Sequence, residues 1–303
     1  MQRLSYVSAM NFMQRFASGT KRNYYGKGDV IVYRLHRDAH SPQAQSPVFG
    51  ASVMMLLYGD AFWPTYVTGD NTNLIATDSM KNFIQRETLN FAGCDLESFC
   101  RFLAEKFLNT YPQTEGIQVS ASEIPYDQIL GGKMAFVPSG PERATARIEL
   151  RRNGAKLEAV EASSGIQGFK LLRLGGSAFF GFVRDQYTTL PDIKNRPLHM
   201  WLDLEWSYTA PDAACNNGEI TAQVREIVNQ VFQSFESGSI QQLIYQIGEK
   251  MLAEIPSIAE IHLEANNRTW DTIAEQGEQL GVYTEARPPF GCLGLRLNRS
   301  DAK

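Results

Sequence analysis

The apolar pattern passes through the same succession of elements twice, and this doubled order limits what the chain can fold into. In the first half, Val30, Ile31, Val32, Tyr33 and Leu35 make a strand within Asp29–His36, and Ser52–Tyr58 is a second β-type run beyond a loop at 38–48. A helix is expected from Thr77-Asp78, both residue types that favour a helix N-cap. A second helix spans about 95–110, where Leu96, Phe99, Cys100, Leu103 and Phe107 recur at helical spacing before Pro112 stops it. Strands at Gly116–Ser122 and Thr145–Arg152 complete this half.

The second half repeats the order. Phe169–Leu174 and Leu198–Tyr208 read as strands, and Leu198, Trp201, Leu204 and Trp206 are mixed with polar partners. Two helices follow, at about Glu219–Phe235 and Ile240–Glu254, then strands at Ile258–Leu263 and Cys292–Leu297. Two α+β domains are therefore expected, each an antiparallel sheet with a helix pair on one face. The divisions are residues 1–22 as an N-terminal extension, 23–165 as the first domain and 166–303 as the second. Neither half can cover both sheet faces and both edges alone, so association of several chains is expected.

Composition excludes several classes of function. Apolar residues make up 43 % of the 303 and charged residues 20 %, with a net charge of −4, a balance that gives no support for a nucleic-acid or anionic-membrane partner. Arg143, Arg147, Arg151 and Arg152 alternate with Ile148 and Leu150 and read as the polar face of a strand. No apolar run approaches the roughly 20 residues that span a bilayer. Arg3, Asn11, Gln14 and Arg15 interrupt any secretory core near the start, and Ser300-Asp301-Ala302-Lys303 is no peroxisomal address. Cys94, Cys100, Cys215 and Cys292 are scattered, as are His36, His40, His199 and His262. Reduced thiols in the cytoplasm and no metal site are the expectation.

Four segments carry candidate chemistry. In Val67–Asn82, a polar loop feeds a short apolar strand and then the helix at Thr77, whose N–H groups and dipole favour an anion or an electron-rich oxygen. Thr77 adds a hydroxyl that both donates and accepts, although a simple cap explains the same residues. Lys27 lies between Gly26 and Gly28, either a solvated surface charge or a proton relay. Within Ser177–Arg196, Phe179 offers a stacking face for a flat ring and Arg196 a fork for a planar oxygen–nitrogen edge, against the plainer readings of core packing and a surface ion pair. Ser239-Ile240-Gln241 opens the last helix, and the Gln241 amide suits the amide edge of a base.

Together these segments resemble the urate oxidase (uricase) family, most closely its bacillus-type bacterial branch, over about residues 24 to 297. The resemblance is carried by Tyr25-Gly26-Lys27, by Gly69-Asp70-Asn71 with Ala76-Thr77-Asp78-Ser79-Met80-Lys81-Asn82, by Gly181-Phe182-Val183-Arg184-Asp185 with Tyr187-Thr188-Thr189-Leu190-Pro191, by Arg196, and by Ser239-Ile240-Gln241. It implies two tandem tunnelling-fold (T-fold) domains and a homotetramer with active sites at subunit interfaces. It also implies oxidation of urate by O2 and water to 5-hydroxyisourate and hydrogen peroxide, with no metal or organic cofactor. Lys27 and Thr77 match the catalytic dyad, Asp78 a backbone donor to urate, Phe179 the stacking ring, Arg196 and Gln241 a clamp on opposite edges, and Ile240 a backbone contact. The family's Asn, which helps hold oxygen or water above the ring, matches either Asn266 or Asn267. The His that supports the lysine falls at Arg268, a side chain that cannot take a proton near neutral pH. That departure leaves two alternatives: a T-fold enzyme acting on another purine or a pterin, and a non-catalytic purine-binding paralogue.

Overall fold

The fold is seen in a computed structural model that describes residues 22–37, 47–130, 132, 134–216, 218–268, 270–277, 279–285 and 288–300. The expected N-terminal extension up to residue 21, the loop at 38–46 and residues 301–303 lie outside the described residues. The chain is α+β and divides into two compact units. One runs to Gln167 and takes in Ser207–Thr221, and the other comprises Gly168–Trp206 and the chain from Ala222 onward.

In the first unit, β1 (Tyr25–Leu35) and β2 (Val48–Tyr58) form an antiparallel pair. The helices α1 (Trp63–Thr68), α2 (Thr77–Glu87) and α3 (Leu96–Thr110) follow. Next come β3 (Gly116–Glu123), a small hairpin of β4 (Tyr126–Gln128) and β5 (Phe136–Pro138), β6 (Arg143–Asn153) and β7 (Lys156–Phe179), which continues into the second unit. The sheet order is β1-β2-β3-β6-β7, antiparallel at every step. Helix α2 packs on β1, and α3 packs on β3 and β6. The apolar stripe read from the sequence is the core here: Phe99, Cys100, Leu103 and Phe107 of α3 have no exposed surface. Each large apolar side chain so buried stabilises the unit by roughly 1.5–3 kcal/mol. Asp95 caps α3, its carboxylate accepting the Ser98 N–H at 2.8 Å.

The second unit follows the same plan. The end of β7 is followed by β8 (Ile193–Tyr208), then α4 (Glu219–Ser234), α5 (Ile240–Glu254), β9 (Ile258–Asn267), a separate hairpin of β10 (Thr272–Gln276) and β11 (Leu280–Tyr283), and β12 (Gly291–Asn298). The sheet order is β7-β8-β9-β12. Helix α5 packs on β9 and β12, and Gly248 lets it come close: a Cβ there would meet Leu297 at 2.8 Å and Leu263 at 3.3 Å. Each half thus carries an antiparallel sheet with a helix pair between its second and third principal strands, the doubled arrangement expected from the apolar pattern.

Three local features differ from the sequence reading. Leu74 to Ala76 form no strand. Ile75 is buried there as an anchor, and its N–H donates to the Tyr25 hydroxyl at 3.0 Å. The strand expected at Phe169–Leu174 is the middle of the 24-residue β7. Its first part alternates exposed and half-buried residues and is held by pairing with β6 across a two-residue turn that places Gly154 at φ +60°. Helix α1 had no clear apolar periodicity; Pro64 starts it, and Gly69 at φ +73° ends it.

Candidate active site

The first-unit candidates are arranged by a bulge. Lys27 pairs with Met55 and Val30 with Val53, so β1 contains one residue more than β2 between these pairs. Directly paired residues share a sheet face, and Val53 and Met55 are fully buried on the helix-covered face. The bulge therefore keeps the half-buried Lys27 on the face on which α2 packs; strict alternation over the three steps from Val30 would turn it to the other face. Asp29 takes the left-handed backbone position of the bulge at φ +55°, and its carboxylate accepts from the Ser52 hydroxyl at 3.1 Å. Gly26 is required by close approach, since a Cβ would sit 1.9 Å from the Met55 carbonyl oxygen.

Helix α2 begins at Thr77. Its N-cap position is Ala76, which makes no side-chain capping bond, so the capping explanation of Thr77 and Asp78 does not hold. The first-turn N–H groups of Thr77, Asp78 and Ser79 lack intrahelical partners, and the helix dipole adds partial positive charge. Thr77 is exposed. The Asp78 carboxylate turns back along the helix, accepting from Lys81 Nζ at 2.6 Å and Asn82 Nδ2 at 2.9 Å. Lys81 first, then Asn82 and the charge of Lys27, hold this carboxyl below its ordinary range. Its side chain is thereby occupied, while its backbone N–H faces out of the helix start.

The second-unit candidates gather at the other end of β7. Phe179 stacks on Phe182 with ring centroids 4.9 Å apart, and the Arg196 guanidinium carbon lies 6.0 Å from the Phe179 ring. Arg196 is half-buried, and its Nε is buried without a hydrogen-bond partner. Burial lowers its pKa, and no acidic neighbour among the described residues opposes that effect. Ser239 caps α5 by accepting the Gln242 N–H at 3.1 Å, while Gln242 Oε1 accepts the Gly238 N–H at 2.9 Å. Gln242 serves the cap, Ile240 is buried, and Gln241 is left exposed at the helix start.

Strand alternation separates the remaining candidates. Ile261, Leu263 and Ala265 of β9 are fully buried, and Leu263 lies under Gly248 of α5. Asn267 continues that helix-covered face, whereas Asn266 and Arg268 fall on the opposite one. Arg196 continues the helix-covered face of β8 through Leu198 and Met200, so Asn267 shares its face and Asn266 does not. The structure does not bring Arg268 to this group. Its guanidinium carbon is 4.1 Å from the Trp201 ring and 3.9 Å from the Phe290 ring, and its backbone N–H donates to the His199 carbonyl at 3.2 Å. Burial, Lys170 and Arg268 hold the neighbouring His199 imidazole below its ordinary pKa.

Supporting residues include Tyr25, which lies in the Tyr25-Gly26-Lys27 motif, and Arg173 and Asn195, which carry no obvious sequence signal. Tyr25 anchors Ile75, and the other two bind the backbone of Gly176 near the end of β7. Among the described residues, no group of three or more His, Cys, Asp or Glu side chains is placed to hold a metal ion, and no helix is long and apolar enough to cross a membrane.

The uricase family model matches residues 23–149 and 162–293. The uric acid degradation bifunctional protein of Bacillus subtilis is 36 % identical, over 92 % of this chain and 61 % of its own length. A similar bifunctional protein of Bacillus sp. is 37 % identical, over 92 % of this chain and 60 % of its own length. The chain thus spans about three fifths of these two relatives. A uricase of Haloferax volcanii is 34 % identical, over 91 % of this chain and 98 % of its own length. The crystal structure of a uricase from Bacillus fastidious superposes with a TM-score of 0.82 at 35 % identity, covering 93 % of this chain and 95 % of that one. With both units matched in chain order, the chain belongs to the uricase family.

Proposed function

We propose that the chain is a urate oxidase: urate, O2 and water give 5-hydroxyisourate and hydrogen peroxide, without a metal or organic cofactor. Urate loses two electrons and O2 gains them. The water oxygen becomes the new hydroxyl, and the two electrons, with two protons released from urate and water, convert O2 to hydrogen peroxide. The protein then needs to move protons, orient a flat anion and stabilise charge. The observation that carries the reading is Arg196, a planar guanidinium with no acidic partner among the described residues, beside the Phe179 ring. That pair suits an electron-rich heterocycle lying on the ring with one edge in the fork.

In this reading Phe179 stacks on the purine, Arg196 and Gln241 clamp opposite edges, and Ile240 adds a backbone contact. Asp78 donates its backbone N–H. Lys27 and Thr77 relay protons to and from urate and water. Asn267, on the face of Arg196, is the residue placed to hold oxygen or water above the ring. Arg268 is tied between two rings on the opposite face, so its presence gives no reason to favour a pterin or a non-catalytic role. We further propose a cytoplasmic homotetramer whose dyad comes from one subunit and clamp from its neighbour. The test is urate absorbance in the near ultraviolet with purified protein and oxygen. One O2 consumed and one peroxide formed per urate lost is the expected result; an unchanged spectrum sinks the reading.

A further inference from the structure

We propose that Arg173 is a positioning residue for the purine site: its guanidinium joins the backbone segments that lead to Phe179 and Gln241, and Gly176, which it holds, ties in the segment of Arg196 through Asn195. The inference rests on the reading of these residues as the purine clamp. Arg173 Nη1 donates to the Phe232 carbonyl at 3.1 Å and to the Phe235 carbonyl. Its Nη2 donates to the Gly176 carbonyl at 2.7 Å and to the Ser237 hydroxyl at 2.8 Å. All four acceptors are neutral. They belong to the end of α4, the connector to α5 and the last part of β7. Carbonyls at a helix end lack intrahelical donors, so a cation placed there also meets the negative end of the dipole.

Around this guanidinium the backbones close on one another. The Ser237 N–H donates to Gly176 O at 3.0 Å, and the Ala178 N–H donates to Ser237 O at 2.8 Å, making a parallel bridge between Ser177 and Ser237. Gly176 takes φ +75°, a left-handed position in which a side chain would strain the backbone. Its N–H donates to Asn195 Oδ1 at 2.7 Å. From this node Phe179 follows directly after Ala178, Arg196 directly after Asn195, and Gln241 four residues after Ser237, past the Ser239 cap. The planar fork serves several acceptors at fixed angles, which a lysine ammonium cannot reproduce. Arg173 touches none of the positions assigned to urate and acts through the residues that do.

The test compares Arg173→Ala, Arg173→Lys and Ser237→Ala with the wild type in steady-state turnover of urate, in anaerobic equilibrium binding of urate, and in thermal melts. For Arg173→Ala, KM and the anaerobic Kd should rise about tenfold or more, with a smaller fall in kcat, because misplacement by about 1 Å can cost on the order of a hundredfold. Arg173→Lys should recover only part of the loss. Added guanidinium ion at millimolar concentration should bring the KM of Arg173→Ala back toward wild type, and ammonium should not. A folded Arg173→Ala protein with wild-type KM and Kd, or one unaffected by guanidinium, overturns the proposal. If Arg173→Ala does not fold, Ser237→Ala carries the test, since it removes one acceptor and little packing: a raised KM with an unchanged melt supports the tether, and an unchanged KM overturns it. A wild-type protein that neither binds nor turns over urate fails the clamp reading itself and takes this inference with it.

Discussion

The hydroxyl of Tyr25 accepts the backbone N–H of Ile75 at 3.0 Å, joining a residue two before Lys27 to a residue two before Thr77. The bond fixes the start of β1 against the uncapped N-terminus of α2. Burial raises the Tyr25 pKa to about 12, so the group stays a neutral phenol across the working range. Tyr25→Phe leaves a half-buried N–H without its acceptor, a loss of about 1–3 kcal/mol. Thermal melts should show that loss, and turnover should fall more than binding, since the proposed dyad rather than the clamp is loosened. Wild-type turnover in Tyr25→Phe would remove the bond from any role in the site.

Lys27 lies on the α2 side of the sheet because the bulge in β1 offsets its three-residue spacing from Val30. Lys27→Ala should slow turnover by roughly 10²–10⁴, the range for loss of an acid–base group, while anaerobic urate binding through the clamp persists. Near-normal rates in Lys27→Ala would return the lysine to a surface charge.

Arg268 lies between Trp201 and Phe290, and burial is the only influence resolved on its pKa. Arg268 is held by ring faces, whose attraction offsets part of its desolvation, and an apolar side chain of similar length keeps the ring packing of its stem. Arg268→Met should therefore change stability by no more than about 1–2 kcal/mol, against the cation–π energy it forfeits. Its pH–rate profile should match wild type. A displaced profile would place Arg268 in the proton relay after all.

Glu97 gives a pH signature to the first unit. It is buried at the start of α3, accepting the Ser164 hydroxyl at 2.6 Å, and burial pushes its carboxyl up to about 7, with Asp95 adding to the rise. A raised carboxyl pKa means the folded state keeps its proton after the unfolded chain has released one. Stability from this group is therefore fully present below the ordinary value of 4.5 and declines as pH rises toward 7. Glu97→Gln should abolish that decline, gaining on wild type between pH 5 and pH 7 and holding a constant difference above. Parallel melting curves of the two proteins across this range would show that Glu97 is solvated.

The proposed sharing of sites between subunits makes a stoichiometric prediction. Lys27→Ala and Arg196→Ala chains should each be inactive alone. At a mixed isologous interface, one site receives both defects and the other neither. Random co-assembly makes about half the interfaces mixed, so about a quarter of the sites are intact. Co-expressed variants should regain about a quarter of wild-type activity, and separately purified oligomers mixed without dissociation none. No recovery in verified mixed oligomers would mean that each site is built within one chain.

The amphipathic elements could be read from the sequence because their order follows from local spacing. Leu96, Phe99, Leu103 and Phe107 recur at the period of a helix, Pro112 ends it, and the observed helix is Leu96–Thr110. In β8 the structure shows Leu198, Met200, Leu202 and Leu204 as the buried face, with Trp201, grouped with Leu198 in the sequence, on the other. The residue types at Lys27, Thr77, Phe179, Arg196 and Gln241 carry their chemistry without a structure. What only the tertiary structure decided is where those groups point. The bulge after Lys27 is a matter of register against β2, and register belongs to a pair of strands. The choice of Asn267 over Asn266 depends on which face α5 covers. Arg268 lies next to asparagines in the chain but across the sheet from Asn267, because successive side chains of an extended strand alternate in direction. Arg173 looks like one more polar residue in a strand, and its acceptors lie between 3 and 64 residues away. Contacts of that range come from long-distance closure, for which no local periodicity exists.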